Sequence, residues 1–233
     1  MNWMNELTAE FEKTFIRDDR YKVFVTGFKN TILITLVSLC VGLIAGILIA
    51  IARYGFRQMK RKAAVTWYAK LWYAICWVAD KILALYVAVI RGVPLVVQLL
   101  IMAFVVMAGF PNKIVVCCIA MGLNSAAYVS EVVRGGINAV DIGQMEAGRS
   151  LGLSTATTIF FIILPQAFKS ALPALCNEGI AVLKETSIVG YIAVVDLTRA
   201  SDLVRSRTMA PMMPLFFIAI VYFACVMILS WGV

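Results

Sequence analysis

Residues 31–52 read TILITLVSLCVGLIAGILIAIA, and no side chain among them is charged. At 1.5 Å of rise per residue, a helix from Ile32 to Ala52 covers roughly 31 Å, enough to cross the hydrocarbon core of a bilayer. Residues 92–112 form a second uncharged run. The whole 233-residue chain agrees: it is 62% hydrophobic, with a mean hydropathy of +0.91. Soluble domains are nearer half apolar. The expected fold class is therefore an all-α integral membrane protein, built as one membrane domain.

Five spans are expected, over residues 31–52, 94–110, 114–133, 168–191 and 212–231. The first carries Gly42-x-x-x-Gly46, a spacing that lets a neighbouring helix approach closely. Pro94 suits the first turn of the second span. Pro165 and Pro173 break the apolar region ahead of the fourth. Residues 1–22 place Trp3, Leu7, Phe11 and Phe15 four apart, which predicts a short amphipathic segment on the membrane surface. Residues 23–233 then form the membrane domain.

Charge orients the spans. Arg53, Arg57, Lys60, Arg61, Lys62 and Lys70 follow the first span with no acid between them, which marks a cytoplasmic loop. Five spans then leave the N-terminus outside and the C-terminus inside, with residues 134–154 cytoplasmic and 196–207 an external loop. Between the basic loop and Arg91, Trp67, Tyr68, Trp72, Tyr73 and Trp77 are interfacial residue types. Asp80 and Lys81 would each cost about 2.5–3.5 kcal/mol at the centre of a bilayer. An interfacial helix over 63–90 is the preferred reading, and an extra span over 71–90 the alternative.

The net charge of +8 sits mostly in that loop, so it points to a lipid bilayer and not to nucleic acid. The chain has no histidine, which removes imidazole catalysis and histidine-ligated metal. Cys40, Cys76, Cys117, Cys118, Cys176 and Cys225 lie in apolar stretches without a C-x-x-C spacing, and read as small buried hydrophobes. No cofactor or metal is expected.

From Gly143 the sequence runs Gly-x-x-x-x-Gly-Arg-Ser, one residue from a phosphate-binding loop. Such a loop needs a strand before it and an α/β sheet to hold it; here a membrane span precedes it, and Gln144–Ala147 are helix formers. The same residues carry another pattern: Glu146-Ala147-Gly148-x-x-x-Gly152, nine residues, then Ile162-x-Leu164-Pro165. This resembles the EAA loop, about residues 141–165, of permease subunits in ABC-type importers. The likeness runs from about Gly27 to Trp231. Within it, RGVPLVVQLL (91–100), LNSAAYVSEVVRGGINAV (123–140) and LPQAFKSALPALCNEGIAVLKETSIVG (164–190) are similar to the polar amino-acid uptake branch. Gly148 departs from the family's usual alanine, Val93 from a common threonine, and Gly179 from a larger apolar residue. The connection 53–91 is also longer than the family suggests.

The resemblance implies a bacterial cytoplasmic-membrane permease with no catalysis of its own. A second permease, identical or homologous, would complete the pathway. A cytoplasmic ABC ATPase dimer would grip a coupling helix between spans three and four, through Glu146, Ala147, Gly148, Gly152, Leu164 and Pro165. An extracytoplasmic amino-acid-binding protein would deliver the solute. A self-sufficient secondary transporter is the alternative, but those often show two related halves, and none is visible. Ionisable residues inside a membrane usually face a cavity or a partner. Glu178 could therefore meet a solute ammonium and Lys184 a carboxylate, with Asn177, Asn124 and Ser125 as neutral partners. The competing reading pairs Glu178 with a neighbouring helix and lets Lys184 snorkel outward. Glu131 and Arg134 read as structural or gate residues.

Overall fold

The computed structural model describes residues 3–58 and 66–232, with the side chains of residues 3–5 and 58 left aside. Lys60, Arg61, Lys62, Ala63 and the side chain of Trp3 lie outside the described residues. The described residues form ten α-helices, with short π and 3-10 segments and no strand. In chain order these are α1 (Trp3–Phe11), α2 (Tyr21–Gln58), α3 (Trp67–Gly92), α4 (Leu95–Ile101), α5 (Lys113–Asn138), α6 (Ile142–Ser150), α7 (Thr155–Thr158), α8 (Leu164–Glu185), α9 (Leu197–Thr208) and α10 (Met212–Trp231).

Five helical stretches are long and apolar enough to cross a membrane: Tyr21–Arg57, Trp67–Gly92, Lys113–Asn138, Thr155–Ile192 and Met212–Trp231. Four of them contain expected spans, and the other qualifies by length and composition alone. The preferred interfacial segment is a 26-residue helix of mean hydropathy 1.8. Asp80, the main objection to its crossing, faces Arg53 at 3.2 Å and Arg57 at 3.4 Å. Lys81 lies 5.6 Å from the centroid of the Trp77 ring, a cation–π contact. Paired charges cost far less than the isolated ones assumed from sequence. The expected second span is instead the shorter helix Leu95–Val106. Its last turn, Met102–Val106, is a π turn, and at 1.5 Å per residue it falls well short of about 30 Å.

The prolines also act differently from expectation. Helix runs from Thr155 to Ile192, with Pro173 inside α8. A π turn over Ile159–Ile163 precedes Leu164 and Pro165. Such wider turns let a membrane helix absorb a proline instead of ending at it. The charged stretch after it is α9 and not a loop. Asp196 caps it, accepting from the amides of Thr198 at 2.9 Å and Arg199 at 3.0 Å. Burial pushes the Asp196 carboxyl up, against those hydrogen bonds, which hold it down. The capping Asp at the head of α9 is a sequence signal for a helix start.

The chain divides into two compact units. The first is residues 1–38, 95–121 and 179–233; the second is 39–94 and 122–178. The first has a core of Ile34, Leu99, Val116, Met121, Val182 and Val189. In it the N-terminal segment is more than a surface helix. After α1 a π turn over Glu12–Ile16 carries Phe15 into contact with Phe24 and Phe217, at centroid distances of 5.4 and 4.9 Å. The second unit is cored by Val129, Val133, Ile163, Ala167 and Leu175.

Lipid is as apolar as leucine, so close packing holds membrane helices together more than burial does. The Gly42/Gly46 pair shows this in the second unit. A methyl group at Gly42 would come within 2.5 Å of Ser125 Oγ, and one at Gly46 within 2.6 Å of Val129 Cβ. The pair lets α2 lie against α5 in register, four residues on one for four on the other.

Candidate coupling helix and solute site

The EAA segment folds as a separate helix with a fixed start and end. Asp141 begins α6, its carboxylate accepting from the Gly143 amide at 2.6 Å. At the far end Gly152 adopts φ +81°. The Leu153 amide donates to the Gly148 carbonyl and the Gly152 amide to the Arg149 carbonyl, both at 3.1 Å. That is a Schellman end, which uses otherwise orphaned carbonyls and favours glycine at the left-handed position. Ser154 then caps α7, accepting from Thr157 at 3.0 Å. Glu146 and Ala147 are exposed, as is Pro165, while Leu164 is partly covered. Ile142 and Leu151, at the two ends of α6, are 77% and 81% exposed. A short polar helix with an apolar residue bare at each end is suited to docking.

Gly152 has open space around it, so its constraint is backbone conformation and not crowding. Gly152→Leu should cost about 1–2 kcal/mol through the left-handed φ and loosen the end of α6. On the coupling role that the resemblance implies, the expected result is a complex that inserts and assembles but hydrolyses ATP with reduced transport. Transport at the wild-type ratio of solute to ATP would show that the α6 end plays no part in coupling.

Gly148 is different. It is buried, and an added methyl would stand 2.6 Å from Thr158 Cγ2 and 2.9 Å from its Oγ1. Thr158 is itself fully buried, its hydroxyl donating to the Ser154 carbonyl at 3.0 Å. Glycine here is what lets α6 press onto α7, a requirement hidden from the sequence because Thr158 carries no motif. Gly148→Ala should therefore destabilise by about 1–3 kcal/mol, despite the better helix propensity of alanine. Adding Thr158→Ala removes both clashing atoms and should restore most of the melting temperature. Equal melting of Gly148→Ala and wild type would refute the packing.

Of the candidate solute residues, the structure brings Ser125 and Glu178 together. Ser125 Oγ donates to Glu178 Oε1 at 2.9 Å, linking α5 to α8 within the second unit. Ser125 and Asn124 are buried, Glu178 is part-buried, and Asn177 is exposed. Lys184 is exposed and belongs to the first unit. The hydrogen bond uses one carboxylate oxygen and leaves Oε2 for another donor.

A cluster of arginines and acids also lies in the second unit. Arg53, only 8% exposed, bonds Asp80 at 3.2 Å and Glu131 at 3.4 Å. Glu131 holds Arg134 at 2.6 Å and Arg91 at 3.7 Å, and the Arg91 guanidinium stands 5.4 Å from the Tyr128 ring centroid. Glu131 and Arg134 were named from sequence as structural or gate residues, and the structure pairs them. The pairing of Arg53 with Asp80, far apart in sequence, was not legible there.

Residues 68–233 match the family described as binding-protein-dependent transport system inner membrane component. The chain belongs to this family. It is accordingly a multi-pass membrane permease of the ABC transporter class, a transport component and not an enzyme. Among its relatives, an arginine transport system permease protein of Bacillus subtilis is 36% identical over 209 residues, covering 88% of this chain and 86% of that protein. A putative glutamine transport system permease protein of Rickettsia conorii is 33% identical, covering 90% of each. The permease also superposes on a crystal structure of an amino acid ABC transporter with histidines: TM-score 0.74, 32% identity, 99% of this chain and 94% of that one. The inward-facing methionine transporter MetNI shares the fold at TM-score 0.73 and 16% identity, over 92% and 94%.

Proposed function

We infer that this permease carries a polar amino acid across the bacterial cytoplasmic membrane, driven by a separate ATPase. The observation that carries the reading is similarity over about nine-tenths of the chain to permeases named for arginine and glutamine transport. The geometry supports it. Glu178, with one oxygen held by Ser125 and the other available, is suited to a solute ammonium. Asn124 and Asn177 flank these two residues in sequence as neutral partners, and Lys184 suits an outward-facing role better than a place beside Glu178. The exposed helix α6, with Glu146, Ala147 and Gly148, ended at Gly152 and followed by Leu164 and Pro165, is the surface for the ATPase. ATP-driven closure of an ATPase pair would move α6 as a rigid body, and α5 and α8 with it. A second permease and an external binding protein complete the assembly.

The decisive experiment is transport of an amino-acid panel by the purified complex in vesicles, with the binding protein and ATP supplied. ATP-dependent uptake of one polar amino acid is the expected result. Uptake driven by an ion gradient without ATP would sink the reading. Orientation is tested separately. By the positive-inside rule Lys60 should be cytoplasmic and Asp202 external, so an impermeant thiol reagent on intact cells should label a cysteine at 202 and spare one at 60. The reverse pattern would invert the topology.

A further inference from the structure

The arginine cluster holds more positive charge than it consumes. Among the described residues, the salt bridges of Arg53, Arg57, Arg91 and Arg134 involve only Asp80 and Glu131, so four guanidiniums face two carboxylates. Arg53 is buried and bonded to both acids, which makes it structural. Arg91 and Arg134 are different: their side chains are 45% and 43% exposed, and both reach the same oxygen, Oε2 of Glu131. The two guanidiniums therefore converge. At 3.7 Å the Arg91 contact is beyond hydrogen-bond length, so that fork has donors to offer, and the Tyr128 ring beside it fixes its position.

The cluster also lies at a particular depth. Arg53 is the first charge after the apolar run of α2, Arg91 lies at the end of α3, and Arg134 in the last turns of α5. The apolar helices α2 and α5 turn polar at Arg53 and Arg134, and Glu131, which contacts both, holds Arg91 at the same level, which is where headgroup phosphates lie. Ahead of Arg91, the exposed Ile82, Leu85 and Val89 recur at three and four residues along α3, an apolar stripe on which an acyl chain can lie. Guanidinium forks match phosphate oxygens two at a time, and basic pockets between membrane helices on the cytoplasmic side take anionic headgroups.

We propose that Arg91 and Arg134, backed by Tyr128, form a binding site for the phosphate of an anionic phospholipid. The lipid supplies the negative charge that Asp80 and Glu131 do not, and ties the ends of α3 and α5 together.

The test is native mass spectrometry of the purified complex in micelles containing phosphatidylglycerol and phosphatidylcholine, with thermal stability measured in parallel. Phosphatidylglycerol should be retained and should raise the melting temperature, with no such effect from phosphatidylcholine. Arg91→Gln should weaken phosphatidylglycerol binding by about tenfold or more, as expected for one lost charge-assisted contact. Lys169→Gln, an exposed cation on α8, should leave it unchanged. The wild-type comparison of the two lipids stands even if Arg91→Gln fails to assemble. Equal retention of both lipids overturns the proposal, as does wild-type affinity in Arg91→Gln. Stabilisation by millimolar inorganic phosphate matching that by phosphatidylglycerol also overturns it, in favour of a free anion.

Discussion

Glu178→Gln should lower the affinity of the membrane site for its solute by roughly 10- to 150-fold, with the permease intact. The substitution keeps the shape and the acceptor for Ser125, whose hydroxyl donates to Oε1 at 2.9 Å, because the amide oxygen can take that bond. What disappears is the charge available to an ammonium. A charge-assisted hydrogen bond in a water-poor site is worth about 1.5–3 kcal/mol, and 1.4 kcal/mol is tenfold in affinity. Binding to the separate external protein should not change. Transport kinetics and melting temperature of the purified complex check this together. Wild-type transport with a lowered melting temperature would make Glu178 a helix-pairing residue and remove it from the solute site.

Arg53→Met should destabilise the complex by about 3 kcal/mol, the low end of the range for breaking a buried ion pair. Arg53 bridges Asp80 on α3 and Glu131 on α5. Methionine fills a similar volume but leaves both acids short of a partner. The loss is limited because Arg57 still faces Asp80 and Arg134 still holds Glu131. For a chain of this size the melting temperature should fall by about 6–12 °C. Adding Asp80→Asn removes one of the stranded charges and should recover part of the loss. If Arg53→Met melts with wild type, the bridge contributes nothing to stability.

The uncharged run at 31–52 determined the membrane class by itself, because length and hydropathy are properties of the chain and need no partner. Helix α6 was legible for a similar reason. Its start at Asp141 and its end at Gly152 are local backbone requirements, written in the residues that meet them. Glu178 and Ser125 were both named from sequence, but as separate candidates.

Tertiary structure decided what depended on a partner. Asp80 read as an isolated charge on the helix over Trp67–Gly92, and its partners Arg53 and Arg57, remote in sequence, became visible only in the structure. Gly148 read as a departure from the family's usual alanine, yet its lack of a side chain is what Thr158 requires. Pro165 and Pro173 read as breaks, but a π turn at Ile159–Ile163 accompanies them within one long helix. The sequence shows where a charge, a small residue or a proline stands. Whether it is a cost or a contact depends on the atoms opposite it, and those come from residues remote along the chain.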